Sequence, residues 1–377
     1  MYDLGDRLPE PGRRSRLSRL WSAFGHDLAV DLGTANTLVY VRGKGVVLTQ
    51  PSCVALDRAT ARIIAVGDDA REMIGRAPAN IEVIRPLRSG VISDYEATQH
   101  MLREFILRVH HRTRFVKPRV IVCVPTGVSQ IARRAVEEAV IEAGARRVVI
   151  VSEPLAAAVG AGLPIEEPRG SMIIDIGGGT TEVAVFVLGG IVTGISEPVA
   201  GDAIDQAIVA YVRKERAILI GERMAERLKV SAAAAVRGVR RVRVQFPGKD
   251  LTTGRPTRVD MTSDELAEGI SEPVGRIVDS VVGVLDRMPA DIVPDLLQSG
   301  VVMTGGGALL IGLDGLVEAE CGLPVKVDPE PLSCVVRGAG SLLENLGMGS
   351  PRPRRSNLRS DGRYDSRRRG ERDRRQR

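Results

Sequence analysis

Three glycine-bearing segments, each reached from a run of apolar residues, constrain this chain more than any other feature. They are DLGTANT (Asp31 to Thr37), DIGGGTTE (Asp175 to Glu182) and MTGGGALL (Met303 to Leu310). The first two share one plan: a strand, then Asp-x-Gly, then a hydroxyl residue. A strand ending in this way must turn sharply, and the amides and hydroxyls of such a turn gather anions. A plan that occurs twice implies two phosphate-gripping turns facing each other across a cleft. A triphosphate held from both sides would make the chain a nucleotide-operated hinge.

Each residue in these turns has its own expected task. In the first, Thr34, Ala35 and Asn36 follow Gly33 and present amides and a hydroxyl. In the second, Gly177, Gly178 and Gly179 let the main chain approach phosphate oxygens, and Thr180 adds a hydroxyl. Asp31 and Asp175 are too short and too negative to touch phosphate, and suit a Mg²⁺ ion held through its water shell. A dinucleotide fold is disfavoured, because its glycine motif opens a helix, whereas TTEVAVFVL after Gly179 has a strand pattern. The third turn, Gly305, Gly306, Gly307, Ala308 and Leu309, feeds a helix expected from Leu309 onward. Helix N-terminal amides there favour the adenosine or α-phosphate side of a nucleotide. Glu153 lies where strand VVIVSEP gives way to an alanine-rich helix, with Pro154 suited to the first helical turn. It reads either as an acid that orients water for attack on a γ-phosphate or as a simple helix-capping acid.

The order of elements points to an α/β protein in two duplicated halves. DLAVDLG, TLVYVRG and GVVLTQPSCVALD form an antiparallel meander. VIVCVPTG and VVIVSEP are further strands, with a helix over 130–143 between them. The second half repeats the order: DIGGGTTE with its hairpin, helices over 202–215 and 222–236, two strands near 239–260, a helix over 263–287, then VVMTGGG. Aromatic residues are only 3% of the chain while 44% is hydrophobic, so the cores must be aliphatic.

Charge and cysteine usage narrow the setting. Residues 349–377 hold twelve arginines against four acids, a local balance of +8. The overall charge of +6 therefore leaves the other 348 residues at −2. Such a tail cannot form a core and is expected to be disordered. It offers attraction to a membrane or acidic partner, or mere solubility; with only Tyr364 among its arginines, specific nucleic-acid binding is not expected. Cys53, Cys123, Cys321 and Cys334 have no metal-ligand spacing and fit a reduced cytoplasmic compartment. The longest apolar span, Val183 to Ile195, contains Gly-Gly and is too short to cross a bilayer. Within an otherwise disordered N-terminus (1–26), residues 15–25 place Leu17, Leu20, Trp21 and Phe24 on one helical face beside Arg16 and Arg19. That pattern suits a helix lying on an anionic membrane, the alternative being a helix docked on its own domain. So short a helix binds weakly, and stable attachment needs many copies together.

The stretches DLGTANTLVYVRGKGVVLTQPS, VPTGV, EPLAAAVGAGLPI, DIGGGTTEVAV, LIGERMAE and TGGGALLIGLDGL, spread over residues 27–346, resemble the MreB/Mbl family of bacterial actin homologues. The resemblance implies an actin-like fold of two lobes, each an RNase-H-like core with a smaller inserted subdomain. The lobes would be 27–157 with 337–348, and 158–336. It implies ATP and Mg²⁺ in the cleft, slow ATP hydrolysis, and homopolymer filaments on the cytoplasmic face of the inner membrane. Those filaments would organise cell-wall synthesis with wall-elongation membrane proteins. By motif, Glu153 falls at the acid that supports hydrolysis and Thr180 near the attacking water. Glu226, Arg227, Leu228 and Lys229 would flank adenine and ribose, Gly305 to Leu309 would close the other side, and Asp202 matches an acidic loop position. The chain departs from the family at Ser152, where an acid is usual, at AGDAID, at Ala217-Ile218 and at VSAAAAV. A monomeric ATPase of the same fold, chaperone-like or a small-molecule kinase, is the alternative. The chaperone reading would need a substrate-binding domain, for which only 29 residues remain after residue 348.

Overall fold

The computed structural model describes residues 27–109 and 117–345. The expected N-terminal helix, with Leu17, Leu20, Trp21 and Phe24, and the arginine-rich tail lie outside the described residues. Among the described residues no helix is long and apolar enough to cross a membrane.

The first half is built on a five-stranded sheet. Strands β1 (Leu28–Leu32), β2 (Asn36–Val41) and β3 (Gly45–Pro51) make the expected antiparallel meander. The third stretch does not run on to Asp57 as one strand. It breaks at Ser52-Cys53, and β4 (Val54–Asp57) starts a separate small sheet with β5 (Ile63–Val66) and β6 (Ile81–Ile84). Helix α1 (Asp68–Met73) lies between the last two strands. A two-stranded hairpin follows, β7 (Leu87–Arg88) and β8 (Val91–Ile92), then helix α2 (Tyr95–Val109). Strand β9 (Arg119–Val124) returns to pair in parallel with β1. Helix α3 (Gln130–Glu142) is capped by Ser129, whose hydroxyl accepts the Ala132 N–H, and Gly144 just beyond it has φ 121°. Strand β10 (Arg147–Ser152) completes the sheet order β10-β9-β1-β2-β3, and α4 (Glu153–Gly160) leaves it.

The second half repeats this plan. Strands β11 (Ser171–Ile176), β12 (Thr181–Val187) and β13 (Gly190–Glu197) form the meander, followed by α5 (Gly201–Arg216), the short β14 (Ile218–Leu219) and α6 (Glu222–Ala232). Strands β15 (Arg243–Asp250) and β16 (Pro256–Thr262) pair with β14 as a three-stranded sheet. The long helix expected over 263–287 is two helices, α7 (Ser263–Gly269) and α8 (Ser271–Leu285). They are broken at Ile270, whose φ −103° and ψ 5° are not helical. Helix α9 (Val293–Ser299) leads into β17 (Val301–Thr304), then α10 (Leu313–Cys321), β18 (Val325–Val327) and α11 (Cys334–Asn345). The second sheet has the order β13-β12-β11-β17-β18.

Side-chain alternation decides what each sheet buries. On β1 and β9, Leu28, Val30, Val120 and Val122 turn to a core with α2 and α3, centred on Met101 and Phe105. Ala29, Ile121 and Cys123 point the other way, toward α4 and α11. On β11 and β12, Ile174, Ile176, Val183 and Val185 face the outer core, whereas Ile173, Ala184 and Phe186 face α4 and α11. The two sheets therefore share a middle layer made of two helices. Their crossing is unusually close: a Cβ on Gly160 would lie 2.0 Å from the Cys334 carbonyl oxygen, and one on Gly338 would lie 1.8 Å from that of Ala156. Backbone meets backbone there, with no side chain between.

Candidate nucleotide site

The same alternation brings the acids together. Asp31 is two residues after Ala29 on β1, and Asp175 two after Ile173 on β11, so both carboxylates emerge from the faces turned to the middle layer. Glu182 is in register with Asp175 on β12, and Glu153 starts α4. All four are buried or nearly so. The Asp31 carboxyl is pushed up to about 7, by burial first and by the Asp175 charge second. Burial pushes Asp175 up to about 7. Glu153 is raised well above the ordinary carboxylate range by burial and by Asp31, Glu182 and Asp175. No basic side chain figures among the groups acting on these acids.

The turns themselves interlock. A Cβ on Gly178 would sit 2.6 Å from Ala35 Cβ, and one on Gly179 would sit 2.6 Å from Thr34 Oγ1. The second turn has no side chains where the first turn's side chains go. The first turn is held by Ser52, whose hydroxyl donates to the Gly33 carbonyl (2.6 Å) and lies 2.8 Å from Thr37 Oγ1. Its amide donates to Ala35 O (2.9 Å). The second turn is held by α5, as Gly201 and Asp202 donate their N–H groups to Gly177 O and Gly178 O at 3.2 and 2.7 Å. Thr34 was expected to meet phosphate, and its oxygen also accepts the Gly90 N–H at 3.0 Å, from the β7–β8 turn. Its own hydrogen remains available to an acceptor.

The third glycine turn closes behind Asp175. Gly305 has φ 80°, and a Cβ there would meet Ile176 O at 2.3 Å and Asp175 Oδ1 at 2.5 Å. Residues Gly306–Leu309 form a 3₁₀ turn, and the helix starts only at Leu313, not at Leu309. A Cβ on Gly307 would lie 2.1 Å from Ile176 Cγ2, and Gly312, with φ 79°, precedes the helix.

Between these turns lies a cavity of about 400 Å³. Of the residues singled out in the sequence, Asp31, Thr34, Ala35, Asn36, Glu153, Asp175, Gly177, Gly178, Gly179, Thr180, Asp202, Glu226, Lys229, Gly305, Gly306, Gly307 and Leu309 all line it. Three do not. Arg227 is exposed, while Leu228 and Ala308 are buried in the second-half core. Helix α6 turns Glu226 and Lys229 to the cavity, and Leu228 necessarily points away.

Several lining residues carried no clear sequence signal. Arg71 on α1 reaches Glu226 at 2.6 Å, and Arg85 after β6 reaches Asp202 at 2.9 Å and Glu222 at 3.9 Å. These pairs cross from the small sheet of the first half to α5 and α6 of the second, with Arg223 donating to the Glu72 carbonyl alongside (3.3 Å). Asp205 takes the Lys229 ammonium at 2.8 Å, and Lys229 also donates to Gly201 O at 3.0 Å. An i, i+3 acid after Asp202 could have been read from AGDAID. Nothing in the sequence marks the partners of Arg71 and Arg85.

The acid cluster suits a divalent ion, since two buried carboxylates that repel each other and lack a base gain most from a shared cation. Among the described residues no group of three or more His, Cys, Asp or Glu side chains forms a metal cage. Such an ion would rely on phosphate oxygens and water for its remaining ligands, as Mg²⁺ characteristically does.

Comparison with known proteins agrees with this geometry. The family model described as MreB/Mbl protein matches residues 25–350. The chain is 47% identical over 338 residues to the cell shape-determining protein MreB of Escherichia coli K12, covering 88% of this chain and 97% of that one. It is 43% identical over 323 residues to the cell shape-determining protein Mbl of Bacillus subtilis, covering 86% and 97%. Among solved structures, MreB5 of Spiroplasma citri bound to AMPPNP superposes with a TM-score of 0.81 at 34% identity, covering 86% of this chain and 97% of that one. The MamK double helical filament, at 23% identity and a TM-score of 0.70 over 85% and 98% of the two chains, shares the fold. With the interlocked turns, the duplicated sheets and these likenesses together, the chain belongs to the MreB/Mbl protein family and has its actin-like α/β fold.

Proposed function

We propose that this cell-shape protein binds ATP with Mg²⁺ in the cavity between its halves, hydrolyses it slowly and polymerises in the nucleotide-bound state. The observation that carries the reading is the fit of Thr34 and Ala35 into the space left by Gly178 and Gly179. Two turns so close would grip one phosphate chain from both sides. The lobes would be 27–157 with 337–348, and 158–336.

When bound, ATP supplies the phosphoanhydride and Mg²⁺ the positive charge that the acid cluster lacks. The chain's residues do the rest. Amides of 34–36 and 178–180 hold the phosphates, that of Gly177 donating to Thr180 O within the turn (2.9 Å). Asp31 and Asp175 hold the ion through water. Glu153 and Thr180 steer the attacking water, and Thr180 is buried and lines the cavity. Glu226 and Lys229 meet the ribose and adenine end. Closure of the halves around the phosphates would set the geometry for longitudinal assembly, and loss of the γ-phosphate would relax it. The N-terminal segment with Leu17, Leu20, Trp21 and Phe24 would place filaments on the inner face of the membrane, where wall-elongation proteins are the expected partners.

The test is sedimentation with electron microscopy of the purified chain. ATP with Mg²⁺ should give pelletable filaments, and EDTA should abolish them. Calorimetry showing no uptake of adenine nucleotide would remove the reading.

A further inference from the structure

The two sheets follow one plan, yet their edges away from the cavity differ in charge. In the first sheet β1, β9 and β10 are parallel, and Leu28 is in register with both Val41 and Val120. The residues that enter these strands therefore share an edge with the β2–β3 hairpin. Arg42, Lys44, Lys117, Arg119, Arg146 and Arg147 lie along it. Asp27, the acid at that edge, is buried against Arg42 (3.7 Å) and Arg119. Lys44, Lys117, Arg146 and Arg147 are exposed, and among the described residues no acid pairs with them. Glu142 and Glu344, at the ends of α3 and α11, accept the Tyr95 and Tyr40 hydroxyls instead (2.9 and 2.8 Å).

The matching edge of the second sheet has no such row. Its hairpin reads Leu188-Gly189-Gly190, and Gly170, Gly300 and Pro324 precede β11, β17 and β18. Exposed Glu166 and Glu167 lie beside that hairpin, where the Leu188 N–H donates to the Glu167 carbonyl at 3.0 Å. Arg169 is paired to Glu167 (3.1 Å), and Asp295 accepts the Gly170 N–H (2.8 Å). The fold thus does not itself require cations at this place, and like charges in a row repel unless something negative covers them. Both ends of the described chain reach the basic edge. Asp27 leads into β1, and α11 finishes beside Tyr40, which is opposite Ala29. The sequence continues from there to the twelve arginines of 349–377, and Trp21 and Phe24 stand just before Asp27.

Whatever covers such an edge must be broad. Five strands about 4.8 Å apart span about 19 Å, so the cations cannot converge on one phosphate. They fit an extended array of negative groups, and the apolar side chains just before Asp27 suit a bilayer better than a nucleic-acid duplex. We propose that this edge of the first sheet docks on the anionic headgroups of a lipid bilayer, with Lys44, Lys117, Arg146 and Arg147 as its contacts. The arginine tail adds its charge at the same place. The inference rests on the membrane reading above, and assigns to it a lipid charge class and one half of the molecule.

Flotation with vesicles on a density gradient tests this on the full chain, because filaments alone sink. Vesicles of phosphatidylcholine are compared with the same vesicles containing phosphatidylglycerol. The wild type should partition about tenfold or more in favour of the anionic vesicles, and less so at high salt. Lys44→Gln, Lys117→Gln, Arg146→Gln and Arg147→Gln together should cut that partition about tenfold, with melting temperature and nucleotide affinity kept. The charge-preserving set Lys44→Arg, Lys117→Arg, Arg146→Lys and Arg147→Lys should stay within about twofold of wild type. Undiminished flotation of the folded Gln variant would overturn the inference. If that variant fails to fold, the pair Lys44→Gln with Lys117→Gln decides: a loss of about threefold supports the docking edge, and no loss overturns it. Release from anionic vesicles by duplex DNA at equal phosphate concentration would assign the edge to nucleic acid and overturn it too. A wild-type chain that floats with neither vesicle removes the membrane reading itself. Equal flotation with both leaves that reading standing and removes only this one.

Discussion

The turn between β1 and β2 keeps side chains at Thr34 and Ala35, whereas the turn between β11 and β12 has three glycines in a row. Read separately, each is a strand–Asp-x-Gly–hydroxyl device, and the duplication invites the view that they are equivalent. They are complementary instead. Ala35 fills the space over Gly178, and Thr34 fills the space over Gly179. Their supports differ as well. The first turn is tied to Ser52 and to the Gly90 amide within its own half, and the second to the start of α5. A duplicated device can therefore enclose a ligand only if the copies diverge where they touch.

The sharpest way to break that comparison is to restore side chains to the second turn. Gly178→Val or Gly179→Val should abolish nucleotide binding, a loss of about 100-fold or more, because the added atoms collide with the first turn. Gly177→Ala should be mild, since its Cβ would meet only Thr180 O, at 3.4 Å. Fluorescent-nucleotide titration checks all three, and equal losses would mean that the interlock is irrelevant.

Next in size are the carboxylates. Asp31→Asn or Asp175→Asn should reduce Mg²⁺-dependent hydrolysis about tenfold or more. The same changes should raise the melting temperature of the nucleotide-free protein by several degrees, because each removes a buried repelling charge. The pH dependence has a defined sign. Both carboxyls are raised to about 7 from the ordinary 3.8. Their contribution to nucleotide-free stability is thus full in acid and lost as pH rises through 7. Binding of Mg²⁺ with ATP should release protons at pH 6 and few at pH 8, which calorimetry in two buffers of different ionisation enthalpy would detect.

Gly90→Ala tests the first turn's support. Its φ of 71° and a Cβ 2.1 Å from Pro125 Cγ require the β7–β8 turn to shift off Thr34, and affinity should fall about tenfold. Smallest is Arg71→Ala. The Arg71–Glu226 pair is 39% exposed on both sides, so its loss should change stability by less than about 1 kcal/mol. Stopped-flow displacement of labelled nucleotide should still show exchange a few-fold faster, with the difference shrinking at high salt.

The sequence made the strands and glycine turns legible because period-two apolar runs and Asp-x-Gly are local signals. Glu226 and Lys229 were named through the family resemblance, their helix by itself reading as a solvated face, and the same motif drew in Arg227 and Leu228, which a helix of 3.6 residues per turn points elsewhere. Gly305 to Gly307 could be identified as a turn, yet its close approach to Ile176, more than a hundred positions away, carries no local signal. Ser52, Gly90, Arg71 and Arg85 were missed for the same reason. Each matters through a partner supplied by another element, and serine, arginine and glycine carry no pattern until that partner is known. The break at Ile270 did carry a local signal: Gly269 precedes it, and Pro273, which has no N–H to offer the Gly269 carbonyl, stands in the first turn of α8.

The glycine crossing of α4 and α11 has a mechanical consequence. Two helices in main-chain contact at Gly160 and Gly338 can swivel about that point without trading one set of side-chain contacts for another. Sliding along it would drive a carbonyl into a neighbouring Cα. The middle layer is thus an axle rather than a slip plane, and a small rotation there becomes a larger displacement at the tips of the small sheets, far from the pivot.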